Sequence, residues 1–137
     1  MNRVYLDTSA YLAVLLGEKQ AAVVNRLLAG KVPCSSTMLL VEAERNLVHL
    51  VRFEKISAKD FDAAFAQLSE DRDALVLRDL TPDLCLTRNF PLIRTPKSAD
   101  MVHLRTAQWF MQNGGLEKFI SLDDNQLQAA RELSLPC

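Results

Sequence analysis

Val4-Tyr5-Leu6-Asp7-Thr8-Ser9-Ala10 decides how the chain is read. Val4, Tyr5 and Leu6 are apolar, one β-branched and one aromatic, which suits a short buried strand. A carboxylate and two hydroxyls follow, then the apolar run 11–16. Small polar residues at such a boundary cap helices, so the stretch reads as a strand handing over to a helix. In an open parallel sheet, ligands sit beyond the C-terminal ends of the strands, and Asp7 stands at such an end. Taken alone, Asp7 is equally a helix cap. Its weight comes from the same arrangement recurring downstream.

Working outward, residues 19–28 space Ala21, Val24, Leu27 and Leu28 as a helix, and Gly30 suits the left-handed position that ends it. Val32-Pro33-Cys34 reads as a second short strand, because Pro33 disfavours helix at the residue before it. Ser35-Ser36-Thr37 then opens a long helix to about residue 52, with Leu40, Ala43, Leu47, Leu50 and Val51 as its apolar stripe. Glu42 and Glu44 both lie on this helix. Glu44 flanks the stripe, while Glu42 shares another side with Met38, Asn46 and His49. Periodicity does not choose between them, and either is also an ordinary surface carboxylate or a partner for Arg45.

A further helix spans 57–70, with Phe61, Ala64, Phe65 and Leu68 inward, and 74–77 is a third strand. Thr81 caps and Pro82 starts a short helix reaching about residue 89. Residues 90–97, holding Pro91 and Pro96, form a loop. Ser98 opens the next helix, in which Asp100, Leu104, Ala107 and Met111 share one face. A carboxylate thus stands where an apolar residue is expected, at the helix end whose dipole favours an anion. Capping accounts for it as well. His103, one turn on, reads as a packed and hydrogen-bonded histidine. After Gly114-Gly115, residues 117–121 form a fourth strand through Phe119-Ile120. Asp123-x-x-Gln126 has the form of a capping box opening the last helix, and 135–137 offers a fifth short strand.

This alternation of strands and helices argues an α/β fold: a parallel sheet with helices on both faces. The 137 residues fit one domain, 1–137. With 16 basic and 17 acidic residues the net charge is −1, so no global field draws the chain to nucleic acid. A local patch must do that. Arg88, Arg94, Lys97 and Arg105 against Asp100 give the one basic cluster, a set of candidate RNA contacts. Scattered solubilising charge is the plainer account of it. Three widely spaced cysteines, Cys34, Cys85 and Cys137, argue against a disulfide framework or zinc site, and for reduced, mostly structural thiols in a cytoplasmic protein. The apolar run 10–16 is too short to span a bilayer, and Asp7 interrupts any signal sequence, so no membrane partner is expected.

Asp7 and Asp123 each follow a strand and precede a helix, so both fall on the C-terminal rim of the sheet. Asp100 stands at a helix start on the inward side. Packed carboxylates repel, so some protonate or a cation holds them. An all-oxygen cluster suits Mg²⁺ or Mn²⁺, hard ions that also bridge to phosphates.

These segments together resemble the PIN-domain family, and most closely the VapC-like toxin ribonucleases of toxin–antitoxin pairs. Residues 4–10, 36–45, 98–104 and 120–123 carry the resemblance, which extends over the whole chain. It implies a three-layer α/β/α PIN-like fold with a central, mainly parallel sheet of four to five short strands. It places the family's metal-site acids on Asp7, Glu42, Asp100 and Asp123, choosing Glu42 because Arg45 follows three positions later. It places the supporting hydroxyls on Thr8 or Ser9 and on Ser121. The implied activity is a Mg²⁺- or Mn²⁺-dependent endoribonuclease leaving 5′-phosphate and 3′-hydroxyl ends, working as a homodimer restrained by a VapB-like antitoxin. The alternative is a non-catalytic PIN-like RNA- or protein-binding module. A phosphoacceptor domain ranks below both, since Asp7-Thr8-Ser9 lacks the second aspartate of an Asp-x-Asp start.

Overall fold

The computed structural model describes residues 2–87, 91–94 and 97–137. In chain order the elements are β1 (Arg3–Leu6), α1 (Thr8–Leu15), α2 (Ala21–Leu28), β2 (Val32–Ser36), α3 (Met38–Arg52) and α4 (Ala58–Ala74). Then come β3 (Val76–Arg78), α5 (Pro82–Cys85), α6 (Ser98–Gln112), β4 (Lys118–Ile120) and α7 (Asp124–Glu132). The strands lie in the order β3-β2-β1-β4, and every neighbouring pair is parallel.

Side chains alternate across the sheet, as the pleat requires. Tyr5, Cys34 and Phe119 share one face and pack on Leu104, Ala107 and Phe110 of α6 and on Ala129 and Ala130 of α7. The Tyr5 and Phe119 rings are stacked, 5.4 Å apart and 9° from parallel. Val4, Leu6 and Ile120 share the other face with Ala10 of α1 and Val24 of α2. Both faces are therefore covered, giving the expected three layers. A third cluster, Tyr11, Leu39, Ala43, Leu47 and Leu68, joins α1 to α3 and α4. Burying an apolar side chain of this size contributes about 1.5–3 kcal/mol.

Some boundaries differ from the sequence expectation. Ser35 and Ser36 belong to β2 rather than to the helix start. Their hydroxyls are satisfied locally, Ser35 Oγ donating to Leu6 O at 2.6 Å and Ser36 Oγ accepting from Met38 N at 3.0 Å. Helix α4 runs four residues past 70, because Asp71 is tied to Tyr11 Oη at 2.7 Å and to Gln67 at 2.9 Å. Its predicted start holds, with Ser57 and Asp60 completing a capping box. Helix α5 stops at Cys85; residues 88 and 89 of its predicted end, and residues 90, 95 and 96 of the predicted loop, lie outside the described residues. Residues 135–137 add no fifth strand: Phe119 N donates to Pro136 O at 2.6 Å, but Leu135 N is spent on Ala130 O and Pro136 has no N–H. Of the thiols, Cys34 alone is buried; Cys85 and Cys137 are exposed, so a mostly structural role does not hold. Among the described residues no helix is long and apolar enough to cross a membrane.

From β1 the chain reaches β2 on one side, and β4 closes on the other. The crevice between the C-terminal ends of β1 and β4 is therefore the topological switch point, the place where open α/β sheets bind ligands.

Candidate active site

Asp7 stands at the lip of that crevice. Its backbone is extended, and its Oδ1 accepts from Ala10 N at 3.1 Å and Ser9 Oγ at 2.6 Å, so it caps α1. Asp7 N donates to Ile120 O at 3.1 Å, stitching the end of β1 to the end of β4. Ser9 Oγ also accepts from Leu122 N at 3.0 Å and lies 3.4 Å from Ser121 Oγ. Asp7 is 4% exposed. Burial raises its pKa, and the hydrogen bonds from Ser121, Ser9 and Ala10 N offset this only in part.

Glu42 lies one turn into α3. Thr8 Oγ1 donates to its Oε1 at 2.6 Å, and His103 Nε2 is 2.7 Å from the same oxygen. Burial opposes its ionisation, but the bonds from His103 and Thr8 outweigh that and hold its pKa below the usual range. Glu44 is exposed. Asp100 is in the first turn of α6. Burial raises its pKa, and the charges of Asp123, Glu42 and Asp7 push it further the same way. Asp123 is exposed and caps α7, its Oδ1 accepting from Asn125 N at 2.9 Å and Gln126 N at 3.4 Å.

Glu42, Asp100 and Asp123 line one cavity of about 620 Å³, together with Arg45, Asn46, Lys97 and Asn125. Of the four acids named from the sequence, Glu42, Asp100 and Asp123 share this cavity wall, and Asp7 is not part of its lining. Thr8 supports Glu42, and Ser9 and Ser121 support Asp7.

The basic cluster does not survive intact. Lys97 lines the cavity, and Arg94 is exposed and not part of that lining. Arg105 is buried at 9% exposure, beside Leu84 and Trp109. Five helical positions past Asp100 turn it about 140° around α6, off the cavity side. Arg88 lies outside the described residues. Sequence reasoning missed Gln126 as a brace: instead of closing a capping box, its Nε2 donates to Asp100 O at 3.0 Å, linking the starts of α6 and α7. It also missed Arg45 as the cavity's second cation, although its place one turn beyond Glu42 carried that signal.

No protein-family model matches the chain, and no curated protein matches it. Among solved structures, the Mycobacterium tuberculosis toxin VapC20, which cleaves the sarcin–ricin loop, matches over 92% of this chain and 94% of its own. The TM-score is 0.61 and the identity 21%. The fold is PIN-like. Within this PIN-like fold, the acids on the cavity wall, Glu42, Asp100 and Asp123, offer carboxylate oxygens, ligands that suit Mg²⁺ or Mn²⁺, beside the amides of Asn46 and Asn125 and the cations Arg45 and Lys97. Among the described residues no three His, Cys, Asp or Glu side chains stand converged as a ready-made ligand group. The fit is instead one of charge: Glu42, Asp100 and Asp123 share the cavity wall, and burial first, then the charges of Asp123, Glu42 and Asp7, raise the pKa of Asp100, a repulsion that a divalent cation relieves.

Proposed function

We propose that this chain is a Mg²⁺- or Mn²⁺-dependent endoribonuclease, a VapC-like toxin that cuts RNA phosphodiester bonds. The supporting observation is the meeting of Glu42, Asp100 and Asp123 around one cavity at the switch point, with Asp7 near enough to act on Asp100. VapC20 shares the fold and cleaves the sarcin–ricin loop, which favours RNA as the substrate. Asp7, Glu42, Asp100 and Asp123 would hold the cation. When bound, it neutralises the carboxylates, lowers the pKa of water and stabilises charge building on a phosphoryl group.

The chain's other side chains have separable tasks. Arg45 and Lys97 stand on the cavity wall where they meet phosphates flanking the scissile bond. Removing both should weaken RNA binding and lower its salt slope by about 1.4, the share of two phosphate contacts on a single strand. Fluorescence anisotropy across a salt series checks this, and an unchanged slope excludes the contact. The same reading gives the chain a VapB-like antitoxin that blocks the cavity, a homodimeric state and a cytoplasmic setting. Exposed Val41 and Val48 on α3 and Phe53 just beyond it are apolar surface for such partners. Co-purification with the antitoxin and light scattering test these points.

The decisive assay incubates the purified chain with a mixed RNA pool in Mn²⁺, in Mg²⁺ and in chelator. Cutting that needs the cation supports the nuclease. A second reading, a non-catalytic binding module, has its own observation: Asp7 and Asp123 both serve as helix caps. RNA binding without cutting in either metal would favour it.

A further inference from the structure

One connected run of hydrogen bonds reaches from the centre of the sheet to the cavity. Tyr5, fully buried on β1, has its hydroxyl 2.7 Å from His103 Nδ1. His103 is 2% exposed. Its Nε2 lies 2.7 Å from Glu42 Oε1 and 3.0 Å from Thr8 Oγ1, and Thr8 Oγ1 reaches the same Oε1 at 2.6 Å. A carboxylate only accepts, so Nε2 donates a ring proton toward Glu42 Oε1, and Nδ1 meets the Tyr5 hydroxyl.

Two donors thus converge on one oxygen of Glu42. The other oxygen takes no hydrogen bond from any described residue, and Glu42 lines the cavity. Leu104 and Ala107 on the same helix show that an apolar side chain is the ordinary filling for this layer. Burying a phenol, an imidazole and a hydroxyl there is costly unless each is paired. All three are paired, and the run ends on one carboxylate. That carboxylate lines the cavity beside Asp100 and Asp123.

We propose that Tyr5, acting through His103, and Thr8 are positioning residues that lock Glu42 with one oxygen presented to the cavity. The inference rests on the metal-dependent reading above. It specifies that the Tyr5 hydroxyl, bonded at Nδ1 from the core, holds the ring with Nε2 toward Glu42.

The test titrates Mn²⁺ calorimetrically into the wild type and four variants at one neutral pH. His103→Gln places an amide donor near the Nε2 position and keeps the bond to Glu42. His103→Asn places it near Nδ1 and loses that bond. Tyr5→Phe removes the hydroxyl and keeps the ring stack. The fourth variant combines Tyr5→Phe with His103→Gln. Losing an outer-shell partner of a ligand weakens metal binding about 10–100-fold. His103→Asn should show that loss and His103→Gln should retain most of the affinity. Tyr5→Phe should weaken binding alone but add nothing to His103→Gln, where no ring nitrogen remains to be set. Imidazole ¹⁵N spectra should show a proton on Nε2, and Tyr5→Phe should shift the Nδ1 resonance.

Equal losses in His103→Gln and His103→Asn, in step with falling thermal midpoints, would reduce the run to packing and overturn the inference. So would an unprotonated Nε2 in the wild type. A wild type that binds Mn²⁺ tightly while every variant does the same overturns the relay alone. A wild type that binds no Mn²⁺ overturns the nuclease reading and, with it, the relay's purpose.

Discussion

Asp7→Asn should cost the chain at least about 100-fold in metal-dependent RNA cleavage while leaving its thermal midpoint unchanged or higher. The two effects part because Asp7 has two tasks. As the cap of α1 it needs an acceptor for Ala10 N and Ser9 Oγ. Asparagine supplies one, and is as good a cap as aspartate. As a cation ligand it needs a full negative charge, which asparagine lacks. Burial raises the Asp7 pKa, so the ionised form is disfavoured in the fold. The sign follows from linkage: its contribution to stability is fully present below the unfolded pKa and is lost as pH rises through the raised folded one. At neutral pH the wild type therefore bears a cost that Asp7→Asn escapes, and the difference in midpoint should shrink as pH falls into the ordinary carboxylate range. Such a trade of stability for function is common at active sites. Parallel cleavage assays and thermal melts at pH 7 and pH 4 decide it. Activity and midpoint falling together would reduce Asp7 to a structural cap.

The strand-to-helix handover at Asp7 was legible because backbone caps and apolar runs are local signals. The same holds for Gly30, whose φ is 71°, and for the Ser57–Asp60 box. Position along the chain fails where a residue's role depends on what crosses over it. Ser35 and Ser36 look like a helix opening, yet they sit in a buried strand because neighbouring backbone satisfies their hydroxyls. Arg105 enlarges a basic cluster when charges are summed along the chain, but the helix turns it into the protein. Glu42 and Glu44 could not be separated by periodicity, since the side of α3 facing the cavity differs from the side facing the core. The family resemblance, not the spacing, chose Glu42. His103 read as a packed histidine, which it is; its bonds to Tyr5 and Glu42 join three segments that no local pattern connects.

Mn²⁺ at a hundredfold excess over its Kd should stabilise the wild type by about 2.7 kcal/mol, which for a chain of this size is on the order of 8 °C in Tm. The argument is independent of cleavage. The fold buries Asp100 and holds Asp123, Glu42 and Asp7 close enough that their charges add to its raised pKa, whereas an unfolded chain disperses them. A cation that binds the folded cluster and not the dispersed one shifts the balance toward the fold. The Asp100 contribution obeys the same sign as Asp7: it is fully present below the unfolded pKa and lost as pH rises through the raised folded value. Glu42, with its lowered pKa, runs the other way, gaining above the unfolded value. The cation-induced rise should therefore be largest near neutral pH and fade as the pH falls and protons compete for the carboxylates. Chelator should reverse it, and Asp100→Asn should shrink it while raising the metal-free midpoint at neutral pH. A midpoint indifferent to Mn²⁺ at every pH would mean that the repulsion is met by protons alone, and that the cavity is not a cation site.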